Sequence, residues 1–216
     1  MLTLHSLKIR RMPYPYATVA AVRGTTLLEV LVTIVIVTFG LLGLAGLQGQ
    51  LLFAEIESYQ RAQAVLLMND MVERITANRG AASSYVTPGA LGVGASAASL
   101  ALDSCAATAI GVDRDKCEWS NALKGASESK SVSAGGATSR LQTGAMSAAR
   151  GCIQLIQASD ASLGVCAPGI YLVTVAWQGT NKTTAPSATC GQGLYGDDKF
   201  RRALSARVSV GLPSCQ

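Results

Sequence analysis

The feature that most constrains this chain is a run of 23 residues, Thr25 to Leu47, in which Glu29 is the only charged side chain. As a helix it extends about 35 Å at 1.5 Å per residue, enough to cross the hydrocarbon core of a bilayer. Lys8, Arg10, Arg11 and Arg23 precede it, and the next basic residue is Arg61. Basic flanks stay on the cytoplasmic side, so the N-terminus is expected in the cytoplasm and the rest of the chain across the membrane. A cleaved secretory signal has an apolar core of only about 7–15 residues, and Gly43 and Ala45 merely mimic its cleavage site. Glu29 is the puzzle in this run. An ionisable group within a membrane helix costs roughly 2.5–3.5 kcal/mol and usually has a partner or a task.

Charge is otherwise unremarkable. The net +5 owes four units to the segment before Gly24, and residues 25–216 carry 14 basic and 13 acidic side chains. A nucleic-acid-binding face needs a basic patch in the folded domain. The cluster Lys199, Arg201, Arg202 and Arg207 is the local candidate, and it reads as a solvated strand face.

All six cysteines, Cys105, Cys117, Cys152, Cys166, Cys190 and Cys215, lie beyond the apolar run, and none forms a CxxC pair. An even number in an exported segment reads as disulfides. Fifteen pairings are open. The sequential one, 105–117, 152–166 and 190–215, is expected because each bridge closes a short loop.

The pattern turns amphipathic after Gly49. Ile56, Val65, Met68, Val72 and Ile75 recur at helical spacing among charged residues. One helix from about Thr26 to Ala77 is expected, stopping at 78-NRG-80. Four glycines, Gly40, Gly43, Gly46 and Gly49, weaken its middle by about 1 kcal/mol each relative to alanine. They read either as a packing face or as a segment able to stretch. Residues 80–102 and 125–150 are rich in small and polar residues and read as loops. Residues 113–123 form a short helix capped by Asp113 or Asp115, with Trp119 as a packing residue. The segments 152-CIQLIQ-157, 170-IYLVTVAW-177 and 200-FRRALSARVSV-210 read as antiparallel strands. Tyr171, Val173, Val175 and Trp177 alternate onto one face of their strand and Leu204, Ala206, Val208 and Val210 onto one face of theirs, which fits a sheet with one face on the helix and the other in water. The fold class is therefore α+β: a long N-terminal helix, half of it transmembrane, on a small disulfide-bonded antiparallel sheet.

Catalytic constellations are missing from the sequence. The single histidine is His5, so neither Ser-His-Asp nor Cys-His chemistry is available beyond the run. No phosphate-binding or dinucleotide fingerprint occurs. The carboxylates of 196-GDD-198 and of Asp113 with Asp115 read as turn chemistry rather than a calcium site. The chain is expected to be no enzyme and to need no metal or cofactor.

A basic leader, Gly24, two small residues and then 27-LLEVLV-32 resemble the class III signal of type IV pilins and type II secretion pseudopilins. The wording FGLLGLAGLQ and the later 77-ANRGAASSYVT-87 resemble the PilV group of minor pilins, the type IV pilus modification protein family. The resemblance implies a leader, 1–24, that a prepilin peptidase cuts between Gly24 and Thr25, with N-methylation of Thr25. In that family a phenylalanine most often follows the cut, and here it is Thr25. It further implies that Glu29, the fifth mature residue, pairs with the N-terminal amine of a neighbouring subunit during assembly. Two charges that are costly alone then offset each other.

By the same resemblance, residues 25–79 form the long helix, with 25–47 in the membrane and later in the filament core. Residues 80–216 form a periplasmic globular domain of the pilin type. The implied partners are other minor pilins and the major pilin, the inner-membrane assembly platform, and the inner membrane itself before assembly. The implied task is pilus assembly in a tip-located priming complex that supports adhesion and twitching motility. A type II secretion pseudopilin of the I or J kind and a tip adhesin or DNA-binding module are the competing readings.

Overall fold

The computed structural model describes residues 24–93, 102–126, 129–134, 137–142, 146–162 and 166–212. Residues 1–23, which include most of the expected leader, and Cys215 lie outside them. The chain divides into two units, residues up to Gln48 and residues from Gly49 onward.

The first unit holds the start of helix α1 (Leu27–Ala77). Thr26 caps it: its hydroxyl accepts the Glu29 backbone N–H at 3.3 Å and its carbonyl accepts the same group at 3.0 Å. Thr26-Leu27-Leu28-Glu29 has the spacing of a capping box, which explains why the helix opens here. The hydroxyls of Thr33 and Thr38 each donate to the carbonyl three residues earlier at 2.8 Å, so neither needs water. The helix continues without a break through all four glycines, and a Cβ at Gly40, Gly43, Gly46 or Gly49 would meet nothing within 4 Å. The side chains from Leu27 to Leu47 are all exposed, and α1 is long and apolar enough to cross a membrane.

In the second unit α1 buries Gln60, Ala64, Met68, Met71 and Ile75. At 100° per residue these five lie within an arc of about 80°. Of the face expected from sequence, Met68 and Ile75 are buried, while Val65 and Val72 are only partly so and Ile56 is exposed. Val65 and Val72 sit at one margin of the buried stripe, and Ile56, four residues before Gln60, lies about 40° beyond its other edge.

Against this stripe lies a four-stranded antiparallel sheet in the order β1-β4-β5-β6, formed by Leu91–Gly92, Arg150–Gln157, Gly169–Gln178 and Arg201–Val210. Val173 pairs with Ile153 on one side and Ala206 on the other, which aligns the inward residues of three strands. Tyr171, Val173, Val175, Trp177, Val208 and Val210 enter the core, as the alternation predicts. Helix α2 (Val112–Leu123) adds Trp119 and Leu123 to the same core.

Several expectations are corrected. The loop expected at 80–102 contains a 3-10 helix (Arg79–Tyr85) and strand β1. The loop expected at 125–150 contains a two-stranded ribbon, β2 (Ser129–Ala134) with β3 (Ala137–Gln142). Its ladder is made of backbone groups, which low apolar content does not forbid, and Gly135-Gly136 between the strands is a hairpin signal. Helix α2 is capped by neither aspartate. Gly111 precedes it at φ 125°, a conformation suited to glycine, and both Asp113 and Asp115 fall in the first turn, where the helix dipole favours negative charge.

The Cys105–Cys117 bridge is present, and the other expected pairs are not: Cys152 bonds Cys190 with Cα atoms 5.8 Å apart. The hairpin register explains the change. Cys152 stands opposite Thr174, eight residues beyond Cys166, or about 26 Å along an extended strand. A disulfide spans at most about 7 Å between Cα atoms, so Cys152 and Cys166 cannot meet. Cys166 is itself disulfide-bonded.

Candidate assembly site

Gly24 and Thr25 lie exposed, just before the first turn of α1. Glu29 is in that turn, where its carboxylate favours the positive end of the helix dipole. Among the described residues its carboxylate has no ion-pair partner. The first turn thus presents a capped helix start with an uncompensated acid at its side. In a membrane such an acid is costly unless an opposite charge meets it.

The second unit is fastened by three polar clusters. In the first, the Arg74 guanidinium bonds Asp70 at 3.1 Å, Asp115 at 2.9 Å and Glu118 at 2.9 Å, while the Tyr85 hydroxyl donates to Asp115. Burial and the Asp115 carboxylate push the Tyr85 phenol up to about 12. In the second, Arg201 is almost wholly buried and donates to Asp198 and to the carbonyls of Pro186, Ala188 and Cys190. Its guanidinium holds the Asp198 carboxyl below the usual range. Backbone N–H of Lys199 and the Lys182 ammonium do the same for Asp197. The third is the pair Arg202–Glu57 at 2.6 Å, from β6 to α1.

The solvated basic face expected at 199–207 is therefore only half right. Arg207 is exposed, but Arg201 and Arg202 spend their charge inside the fold. The reason is a second small core on the outer face of the sheet. Cys152 and Ala176 pack there with Cys190 and Tyr195 from the β5–β6 connection. That connection covers part of the face expected in water, and Arg201 ties down its carbonyls. The small outward residues Ala176 and Ala203 were the sequence signals for it, and the expected pairing of Cys190 with Cys215 hid the contribution of Cys190. The carboxylates of 196-GDD-198 and of Asp113 with Asp115 are likewise engaged by Lys182, Arg201, Lys116 and Arg74. Among the described residues no group of His, Cys, Asp and Glu side chains is placed to hold a metal.

Residues 46–124 match the family model described as Tt1218-like, type IV pilin Tt1218. The match takes in the second half of α1, the 3-10 helix, β1 and α2. No curated protein and no solved structure matches the chain. Over that stretch the chain is similar to a type IV pilin, in keeping with its α+β architecture and its apolar N-terminal helix.

Proposed function

We propose that this chain is a type IV pilin: a structural subunit held in the inner membrane by the first part of α1 and drawn from there into a pilus. The observation that carries the reading is Glu29, an acid without an ion-pair partner among the described residues, in the first turn of a membrane-length helix that starts just after Gly24-Thr25. The similarity of residues 46–124 to a type IV pilin supports it from an independent part of the chain. In this reading residues 1–24 are a leader removed by a prepilin peptidase, and the new amine at Thr25 is methylated. Residues 25–79 are the long helix and residues 80–216 the periplasmic domain.

Glu29 neutralises the N-terminal amine of a neighbouring subunit as the two helices come together. Within low dielectric the pair offsets two desolvation costs that neither charge could bear alone. The finer assignment is a PilV-like minor pilin that joins other minor pilins in a priming complex at the pilus tip. Glu29→Gln tests the role of the acid. The variant inserts in the membrane at wild-type level, because the helix becomes more apolar, but fails to enter pili. Normal piliation with Glu29→Gln as the only copy would refute the role.

A further inference from the structure

The two edges of the sheet are finished differently. At one edge β1 pairs with Arg150 and Gly151, the Val93 N–H bonds the Ala149 carbonyl, and Thr87 takes both backbone groups of Ile153. At the other edge β6 has β5 as its one neighbour in the sheet. The Gly179 N–H donates to the Phe200 carbonyl, and the pairing keeps that register as far as Gly169 and Val210. Alternation therefore turns the even residues of β6 toward β5. Ala203, Ser205, Arg207 and Ser209 turn their N–H and C=O groups outward, over about 20 Å at strand rise. Among the described residues none of these groups has a hydrogen-bond partner. The strand has no proline and no bulge, two devices that close natural edges.

We propose that this edge takes an extended segment of a partner polypeptide as an added strand. A row of alternating donors and acceptors at strand spacing is answered by another strand, and main-chain bonds then supply the affinity. The side chains of β6 state the chemistry of the partner. Leu204 and Ala206 face the core yet are only partly buried, so the partner's inward side chains are apolar. Ser205, Arg207 and Ser209 are exposed, so its outward side chains are polar. A second copy of β6 does not qualify in the membrane-held pilin proposed above, a reading on which this exclusion rests. β6 runs alongside α1, from Arg202 at Glu57 to Val210 near Arg79, just past the helix end. Antiparallel pairing of two β6 strands would turn their α1 helices in opposite directions, whereas copies held in one membrane point the same way.

Amide resonances of the full chain in detergent micelles provide the test. The probe is acetyl-Ser-Val-Thr-Val-Thr-Val-Ser-amide, whose valines share one face of a strand. Saturable downfield shifts are expected at the N–H groups of Ser205, Arg207 and Ser209, with hydrogen exchange there slowed at least about tenfold. Ala206 and Val208, already paired with β5, stay unchanged. The same peptide with proline at both threonines has no effect, because it lacks N–H groups that face β6. Arg207→Pro removes an outward donor, spares the ladder to β5 and weakens binding at least about tenfold. The Trp119 indole N–H, bonded to the Leu67 carbonyl, reports that this variant is folded.

The proposal is overturned if the peptide leaves the three amides unmoved, if the proline peptide acts equally, or if Arg207→Pro binds like the parent. Protection of Ser205 and Arg207 that rises with protein concentration, without peptide, would assign the edge to a second copy and overturn the partner strand. The titration needs no cleavage after Gly24. Its failure therefore leaves the pilin reading standing, and a chain that is never cut there leaves the result at the edge standing.

Discussion

Glu57 on α1 and Arg202 on β6 are 145 positions apart in the chain, and their charged groups meet at 2.6 Å. Arg202 pairs across the ladder with Trp177, so this contact fixes where the end of the sheet lies along the helix. Glu57→Gln removes the charge but keeps an acceptor, and Arg202 retains its two carbonyl partners. The expected loss is about 1 kcal/mol, read as a lower denaturant midpoint with an unchanged slope.

Gly151 on β4 is where Trp119 rests. A Cβ at that position would come within 2.2 Å of the indole ring and 2.7 Å of Leu123. Neither group can retreat easily, since Trp119 is fully buried and held by Leu67. Gly151→Ala is expected to destabilise the second unit by about 2–3 kcal/mol, as overpacking does. The near-ultraviolet circular dichroism of Trp119 should weaken with it.

The disulfide map is checked by digestion without reduction. A peptide containing Cys152 should be recovered joined to one containing Cys190, and Cys105 joined to Cys117. The loops closed span 38 and 12 positions. Chain entropy then makes the Cys152–Cys190 bridge worth about 4 kcal/mol and the other about 3 kcal/mol. Replacing the first pair with alanine should therefore lower the melting temperature more than replacing the second.

Stability should fall in alkali. Burial and the Asp115 bond keep Tyr85 protonated in the folded chain up to about pH 12, whereas an unfolded tyrosine ionises near 10. Between these values the folded state binds more protons, so stability present below about pH 10 is lost as the pH rises. Burial moves Tyr171 and Tyr195 in the same direction. Tyr85→Phe should remove part of the loss, on the order of 2 kcal/mol, in a comparison of unfolding at pH 8 and pH 11.5.

Much of this architecture was legible from residues alone, and the failures have physical causes. The membrane-length helix and strands β4 to β6 follow from apolar spacing, which local sequence carries in full. The pairing of Cys152 was hidden because it depends on strand register, and no single segment encodes how two strands slide past each other. Arg201 read as a surface charge because its parity on β6 points away from the helix. Only the fold brings Pro186, Ala188 and Cys190 over it. The ribbon β2–β3 escaped because its strands lack the apolar alternation that betrays the others. For the proposed assembly site the reverse holds: Gly24, Thr25 and Glu29 lie within six consecutive positions, so its whole pattern is visible in the sequence.

The central claim is that Glu29 meets the N-terminal amine that cleavage creates on a neighbouring subunit, and the N-terminus of the protein tests this most directly. Intact mass and N-terminal sequence are measured on membrane-extracted protein made with and without a prepilin peptidase. The account predicts a chain beginning at Thr25 only when the peptidase is present, heavier by the roughly 14 Da of one methyl group. A chain that still begins at Met1 with the peptidase present, or one cut near Ala45, would leave Glu29 with no such amine to meet and would contradict the account.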